Sequence, residues 1–262
     1  MRLDIEDNSA LVLASSSGLG KASARALAEE GVNVTINGRN ETKLKQSVKE
    51  LNSKSKGEVQ GIVGNITKEE DIKRLVEKTV KNQNGLDHLV TCAGGPPSKA
   101  FIDTDDRDWY ESFDLLVMSV VRSVRESVEY LKKGEGTIVN ITSMSVKEAI
   151  PNLVLSNSVR MSVVGLMKTL SKELGPEIRA NSVLPGPHKT GRIKDLIEEE
   201  LERGNIGSYD EGLERWTEDI PLKRLGKPSE LGELVAFLSS PKSNFIDGAA
   251  IPIDGGGSSS NL

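Results

Sequence analysis

The first stretch of the chain that could do chemistry is a loop of small residues after an apolar run. In LVLASSSGLGKASARAL the loop stands where a helical pattern begins. Glycine lets the backbone approach a phosphate closely, and the first turn of a helix offers free N–H groups. Serine hydroxyls add further donors. The sequence therefore predicts a phosphate-binding loop formed by Ser16, Ser17, Gly18, Leu19 and Gly20, with a plain glycine-containing turn as the alternative.

A second candidate is a cation that follows the next apolar run. The segment NVTINGR ends in a glycine and then Arg39, where folds that prefer NAD carry an acidic residue for the ribose 2′-hydroxyl. A guanidinium can form two parallel hydrogen bonds to a 2′-phosphate. The pattern favours NADP, with NAD still possible. A solvent-facing arginine near the start of the next helix is the alternative.

These candidates need elements to position them, and the chain alternates short apolar runs with amphipathic stretches. Most of the runs are almost continuously apolar, which predicts strands of a sheet covered on both faces. The predicted strands span 10–15, 33–39, 58–66, 88–94, 136–143, 178–186 and 249–256. The predicted helices include 20–30, 41–51, 69–81, 108–131, 157–174 and 228–240. This alternation predicts an α/β fold, a Rossmann-like doubly wound parallel sheet of about seven strands with helices on both faces.

In such sheets, ligands bind beyond the carboxyl ends of the strands. Ser143 ends the fifth predicted strand, so its hydroxyl is a candidate functional group at that edge. Residues 187–220 lie between the sixth strand and the last helix, and they are highly charged with helical spacing. They are predicted to form a lid over the substrate, with an external helix pair as the alternative.

Composition narrows the class of protein. The net charge of −5, with acidic and basic residues interspersed, argues against a nucleic-acid or anionic-membrane surface. No apolar run approaches the roughly 18 residues of a membrane span. The single cysteine, Cys92, fits a reducing compartment, and the chain shows no CxxC or HExxH pattern for a metal. The expectation is one cytoplasmic domain over residues 1–262, without a metal site.

Seven ordered segments of the chain resemble the short-chain dehydrogenase/reductase family. LASSSGLG resembles the family's Thr-Gly-x-x-x-Gly-x-Gly loop, with Ala14 in place of its first glycine. LVTCAGG resembles Asn-Asn-Ala-Gly, of which Ala93 and Gly94 survive. IPLKRLGKPSELGELVAFLSS and AAIPIDGG are similar to the family's last third, and EAIPNLVLSN to acyl-carrier-protein ketoreductases. The resemblance implies hydride transfer between a nicotinamide dinucleotide and a carbonyl or alcohol substrate, in a dimer or tetramer.

The resemblance also implies further cofactor contacts. The segment GNITKEEDI places Asn65, with Ile66 beside it, at the position whose acid contacts the adenine in the family. The segment NSVLPGPHKT resembles the part of the family that approaches the nicotinamide carboxamide. The residues it supplies are Pro185, Gly186, His188 and Thr190.

The family's catalytic residues are a serine, a tyrosine, a lysine and an asparagine, and the resemblance places them on Ser143, Ser156, Arg160 and Leu116. Three of the four are therefore replaced. A serine hydroxyl is much less acidic than a phenol, whose pKa is about 10. Arginine can hold ribose hydroxyls and stabilise an oxyanion, but it relays protons poorly.

Two functions remain open at this point. The first is an NADP-dependent oxidoreductase with an atypical site, whose proton comes from water held by the two serines, from Lys147 or from His188. The second is a dinucleotide-binding protein without efficient chemistry, acting as a redox sensor or subunit partner. Loss of a positioned general acid typically lowers a rate by about 10²–10⁴-fold. The sequence does not identify the substrate.

Overall fold

The structure is a computed structural model that describes residues 2–260, and its centre is a seven-stranded sheet. All neighbouring strands run parallel, in the order β3-β2-β1-β4-β5-β6-β7. The strands are β1 (Ser9–Val12), β2 (Asn33–Gly38), β3 (Val59–Val63), β4 (His88–Thr91), β5 (Gly136–Ile141), β6 (Ile178–Pro185) and β7 (Ala250–Ile253). This order confirms the predicted Rossmann-like, doubly wound α/β fold.

Helices cover both faces of the sheet. They are α1 (Gly18–Glu29), α2 (Glu41–Asn52), α3 (Glu69–Gln83), α4 (Asp106–Phe113), α5 (Ser119–Leu131), α6 (Val154–Leu174), α7 (Gly191–Glu202), α8 (Tyr209–Thr217) and α9 (Pro228–Leu238). Within residues 2–260, none of them has both the length and the apolar character that crossing a membrane requires.

Neighbouring residues of the central strands serve two different cores. On β1, Val12 packs with residues of α1 and α9, whereas Leu11 packs with residues of α3, α5 and α6. On β5, Val139 and Ile138 divide in the same way. Successive side chains of a strand point to opposite faces, so burial on both faces requires a continuously apolar strand. This is why the apolar runs predicted the strands correctly.

The strands end earlier than their apolar runs, because the chain leaves the sheet at the carboxyl edge. Thus β1 ends at Val12, and Ala14 then adopts a left-handed backbone with φ +46°. The run that begins at His88 leaves the sheet after Thr91. The residues beyond these points form the loops in which ligands of such sheets bind.

The helix predicted over 108–131 is interrupted in the structure. α4 and α5 are joined by a π-helical turn over Asp114–Met118. Leu116 lies in this turn and is buried in the core next to α6. It brings an apolar side chain to a type of turn that often marks functional sites.

The charged segment 187–220 forms α7 and α8, as its helical spacing predicted. The two helices pack through a small apolar contact of Ile197, Ile206 and Gly212, where a Cβ on Gly212 would stand 2.6 Å from Ile197 Cγ2. Most other side chains of α7 and α8 are at least partly exposed. The role of segment 187–220 as a lid over the substrate remains a prediction.

Candidate active site

The predicted site residues gather at one edge of the sheet. Because all seven strands are parallel, their carboxyl ends share this edge, and each predicted residue lies at or just after one of them or on α6. The predicted site residues that follow β1, β2 and β3 are Ser16, Ser17, Gly18, Leu19, Gly20, Arg39, Asn65 and Ile66. Those farther along are Ala93, Gly94, Ser143, Ser156, Arg160, Pro185, Gly186, His188 and Thr190.

The loop between β1 and α1 has a backbone that admits a phosphate. Gly18 adopts a left-handed conformation with φ +60°, and Ala14 does so with φ +46° despite its Cβ. A Cβ on Gly20 would lie only 2.8 Å from the Ala14 carbonyl oxygen, so only glycine fits where α1 passes under the loop. The first turn of α1 points its free N–H groups at this cradle. The residues fit the pyrophosphate of a dinucleotide.

A buried asparagine that the sequence reading missed supports this loop. Asn37, on β2, accepts a hydrogen bond from the Ser15 N–H through its backbone oxygen, at 2.8 Å, and donates its own N–H to Ser15 Oγ, at 2.9 Å. Its side-chain amide donates to the carbonyl oxygens of Ile62 and Gly64, at 3.2 and 3.0 Å. The ends of β1, β2 and β3 are thereby tied together beneath the loop.

Arg39 lies at the carboxyl edge of the sheet and is not paired with an acidic side chain of the described residues. It is exposed, directly after β2, and makes no ion pair with any residue between 2 and 260. A Cβ on Gly38 would lie 2.7 Å from Ser16 Oγ, so the Ser16 hydroxyl packs against the end of β2 beside Arg39. The Arg39 guanidinium, which has no ion-pair partner among residues 2–260, and the Ser16 hydroxyl therefore both lie at the carboxyl end of β2.

Asn65 lies after β3, but part of its side chain is already engaged. Its Oδ1 accepts hydrogen bonds from the Thr67 N–H and hydroxyl, both at 3.1 Å. Its backbone N–H donates to Asp71 Oδ2 at 2.8 Å, and this contact lowers the pKa of the Asp71 carboxyl. Ile66 beside it is buried. What remains for a ligand is the side-chain NH₂ group of Asn65.

Four residues form a chain of hydrogen bonds between the segment that follows β5 and helix α6. We call them the serine–arginine set: Ser143, Ser145, Ser156 and Arg160. Ser143 Oγ accepts from the Ser145 N–H at 3.1 Å. The hydroxyls of Ser145 and Ser156 share a hydrogen bond of 3.0 Å, and Arg160 Nε donates to Ser156 Oγ at 3.2 Å. Ser156 and Arg160 meet because residues four apart share a helix face.

Ser145 is the member of this set that the sequence reading missed. It lies in a short 3₁₀ turn over Met144–Val146, and its side chain is buried. Only Ser143, the half-buried member, keeps substantial access to the cleft. The pattern Ser-x-Ser at the end of a strand is the one signal that could have indicated Ser145.

Arg160 is a buried cation without an acidic partner. Only 6% of the residue is exposed, and no carboxylate of residues 2–260 lies within ion-pair distance. Burial lowers the pKa of Arg160 to about 10, so the guanidinium is still protonated near neutral pH. Its terminal nitrogens donate no hydrogen bond to the described residues and keep some access to solvent.

Cys92 connects the two ends of the site. By accessible area its side chain is half-buried, yet its sulfur is surrounded by protein, and burial raises the pKa of the Cys92 thiol. The backbone N–H groups of Gly20 and Ala93 and the charge of Arg160 oppose this rise in pKa, so all three groups are near the sulfur. The glycine loop and the serine–arginine set are therefore neighbours, and the neutral thiol does not offset the charge of Arg160.

His188 lies apart from the serine–arginine set. Its ring is buried and Nδ1 lies 2.8 Å from the Gly186 carbonyl oxygen, so Nδ1 carries the proton in this contact. Nε2 is buried without a partner in the described chain, and the ring lines a separate cavity of about 240 Å³ with Pro187, Arg224 and others. Thr190 is the residue before α7. The structure does not bring the His188 imidazole to the serines.

Residues 2–260 contain no group of three His, Cys, Asp or Glu side chains that could hold a metal ion. Lys147, the other alternative proton source, is half-buried after the 3₁₀ turn and makes no ion pair within the same residues. The side chains of Asn140 and Thr142 each keep a buried polar atom without a partner there. Near the end of β5, these two side chains therefore each have a polar atom that is available for a further hydrogen bond.

Comparison with known proteins gives one family for nearly the whole chain. A family model described as enoyl-(acyl carrier protein) reductase matches residues 13–258. The 3-oxoacyl-acyl-carrier-protein reductase of Thermotoga maritima is 32% identical over 254 residues, which cover 96% of this chain and 98% of that protein.

Solved structures agree with this match. L-sorbose reductase from Gluconobacter frateurii, complexed with NADPH and L-sorbose, has a TM-score of 0.95 at 27% identity and covers 99% of this chain and 100% of its own. A short-chain oxidoreductase from Pseudomonas aeruginosa, described as containing an atypical catalytic center, has a TM-score of 0.89 at 27% identity. The matched regions cover 98% of this chain and 99% of that one.

Proposed function

Because the chain belongs to the short-chain dehydrogenase/reductase family, we propose that it is an NADP-dependent oxidoreductase with a Ser143–Ser156–Arg160 active site. Its substrate is a small carbonyl compound or the corresponding alcohol. The likeness to L-sorbose reductase with NADPH supports a nicotinamide dinucleotide as the cofactor. A homodimer or homotetramer is the assembly expected from the family.

One observation carries this proposal: Cys92 lies near both ends of the site. The Gly20 N–H, at the glycine loop, and the charge of Arg160 both act to lower the pKa of the Cys92 thiol, so both groups are near its sulfur. A dinucleotide has its pyrophosphate at the first of these points and its nicotinamide ribose at the second, as the family resemblance implies. The two halves of the proposed site are thus close enough for one ligand to occupy both.

The cofactor supplies hydride chemistry when bound. The serine–arginine set would bind the oxygen of the substrate by hydrogen bonds and stabilise negative charge on it. Ser143 Oγ accepts the Ser145 N–H, so its own proton is free to be donated to that oxygen. Arg160 holds Ser156 through Nε and places a positive charge beside the oxygen, where it favours negative charge. Serine hydroxyls are too weakly acidic to be the final source of the proton, so it comes from water through these hydroxyls.

The preference for NADP rests on Arg39. It is the cation at the carboxyl end of β2, it is exposed, and no acidic side chain of residues 2–260 neutralises it. Replacement of Arg39 by alanine should weaken NADPH binding by about 10- to 100-fold, the value of hydrogen bonds to a charged group. NADH binding should change little, because NADH has no 2′-phosphate.

Fluorescence titration with NADPH and NADH tests this preference. Lys54→Ala is the control, since Lys54 is an exposed cation outside the site and its removal should leave both affinities unchanged. Equal losses of NADPH and NADH affinity in Arg39→Ala would remove Arg39 from the 2′-phosphate site.

Turnover is tested separately, by following nicotinamide absorbance with a panel of carbonyl compounds and alcohols. Activity that is lost in Ser143→Ala supports the oxidoreductase. Tight NADPH binding without any turnover would instead support the second candidate, a dinucleotide-binding redox sensor. If neither dinucleotide binds, the proposed function is wrong in both forms.

A further inference from the structure

The feature that the proposed function leaves unexplained is the uncompensated charge of Arg160. Removing an ion from water costs several kcal/mol even after the protein relaxes, unless an opposite charge or a full set of hydrogen bonds replaces the water. Only 6% of Arg160 is exposed, and within residues 2–260 its guanidinium donates one hydrogen bond, to Ser156 Oγ. A guanidinium has five N–H donors. Four of them remain for something outside the described chain.

The one internal contact also fixes which edge of the guanidinium is open. Nε is held by Ser156 Oγ, which is itself held by Ser145. The remaining edge carries the two terminal nitrogens, which lack partners among residues 2–260 and retain access to solvent. Two parallel N–H groups on this edge match the two oxygens of a carboxylate.

Neutral ligands satisfy this site only in part. Ribose hydroxyls of the cofactor can accept hydrogen bonds from Arg160, but they leave its charge uncompensated. The Cys92 thiol, whose negative form would offset the charge of Arg160, stays neutral because burial raises its pKa. An anion is therefore the ligand that completes the site, and it comes either from the substrate or from a cofactor phosphate.

We propose that the substrate carries a carboxylate close to its reacting carbonyl, and that the open edge of Arg160 binds this carboxylate. The inference rests on the proposed function and specifies its substrate class as oxo acids or the corresponding hydroxy acids. The cofactor phosphates are the less suitable source, because the glycine loop already offers them the first turn of α1. The substrate oxygen and the carboxylate would then lie on either side of Ser156.

Matched pairs of substrates test the proposal in the unmodified protein. We would measure NADPH oxidation with 2-oxopentanoate, acetoacetate and the methyl ester of each. Each acid carries a negative charge that its ester replaces by a neutral methyl ester group, so kcat/KM for at least one acid should exceed that of its ester by about 10- to 100-fold. Esters that react as well as both acids would overturn the proposal.

Variants then assign the preference to one side chain. In Arg160→Met the ratio of acid to ester should fall to about one, and in Arg160→Lys, which keeps the charge but loses the fork, it should fall only partly. Arg2→Met is the matched control, because Arg2 is an exposed arginine before β1, at the amino end of the sheet, and should not set the ratio. An acid preference that survives in Arg160→Met is the opposite result and refutes the role of Arg160.

A binding measurement separates this inference from the proposed function. Calorimetric titration of 2-oxopentanoate and acetoacetate into the protein saturated with NADP⁺ should show binding of at least one acid that weakens at least tenfold in Arg160→Met. Binding of an acid without its reduction would support the anion site at Arg160 and refute the oxidoreductase activity. Reduction of neutral carbonyl compounds alone would support the oxidoreductase activity and refute the anion site.

The same titrations distinguish the source of the anion. If Arg160→Met lowers affinity for NADP⁺ itself while acid binding is unchanged, the anion is a cofactor phosphate and the proposal fails. If neither acid binds to the unmodified protein, it fails as well. Should Arg160→Met not fold, the substrate pairs and Arg160→Lys still decide the matter.

Discussion

Arginine and histidine side chains at the two ends of the parallel sheet differ in how fully they are hydrogen-bonded within the protein. At the amino end, Arg179 of β6 donates four hydrogen bonds of 3.0 to 3.2 Å, to the carbonyl oxygens of Leu238, Ser240, Ser243 and Ile246. At the carboxyl end, Arg160 donates one hydrogen bond to the part of the chain that the structure describes. One guanidinium is used to hold the fold together, and the other is left open.

The two histidines repeat this contrast. His88 begins β4, and its ring nitrogens lie 3.0 Å from Asn8 Nδ2 and 2.9 Å from Thr137 Oγ1. His188 follows β6, and one of its nitrogens is buried without a partner in the described chain. Buried polar groups that lack partners are costly, and proteins keep them mainly where a ligand or a water completes them. His188 at the carboxyl end therefore keeps an unpaired ring nitrogen within the described residues, whereas both ring nitrogens of His88 at the amino end have partners in the fold.

The largest effect should separate the two arginines. Arg179→Met removes a half-buried guanidinium together with its four hydrogen bonds to carbonyl oxygens, so the free energy of unfolding should fall by about 3–5 kcal/mol. Arg160→Met replaces an uncompensated buried charge by an apolar side chain of similar length. Its free energy of unfolding should stay within about 1 kcal/mol of the unmodified protein.

Urea unfolding of both variants, without cofactor, measures the difference. Similar losses in the two variants would mean that Arg160 is as firmly integrated into the fold as Arg179. The conclusion that only the arginine at the amino end stabilises the fold would then be wrong.

A smaller effect should appear at His88 as the pH falls. Burial lowers the pKa of His88 to about 4, with the charge of Asp87 opposing the shift and that of Arg179 adding to it. The unfolded chain therefore takes up the proton first, near pH 6.5. The stability that depends on neutral His88 is complete above pH 6.5 and is lost as the pH falls towards 4, by about 3 kcal/mol in total.

Unfolding free energies of the unmodified protein and of His88→Gln, measured between pH 7.5 and pH 4, test this dependence. The difference between the two should shrink across the window, because glutamine does not titrate. A constant difference would show that His88 keeps an ordinary pKa in the fold. The carboxylates of the protein titrate in both proteins alike and cancel in the comparison.

The sequence predicted the fold better than the contacts at the carboxyl end of the sheet. Continuous apolar runs such as that ending in Val12 specify a sheet buried on both faces, which the structure confirms. The pairing of Ser156 with Arg160 follows from helical spacing. Ser145 could not be found this way, because its contact with Ser156 joins residues eleven positions apart through a 3₁₀ turn. The orientation of the His188 ring likewise depends on tertiary packing against Gly226.

The smallest effect concerns Ser145, through which the open end is fixed in place. Its hydroxyl holds Ser156 Oγ, which in turn holds Nε of Arg160. Ser145→Ala should leave the fold intact but allow the Ser156 hydroxyl to turn, so kcat should fall by about tenfold with little change in KM for NADPH. Steady-state kinetics measure this split. Ser145→Thr keeps the hydroxyl and should restore most of kcat, whereas equal activity in Ser145→Ala and the unmodified protein would show that Ser156 and Arg160 orient each other without Ser145.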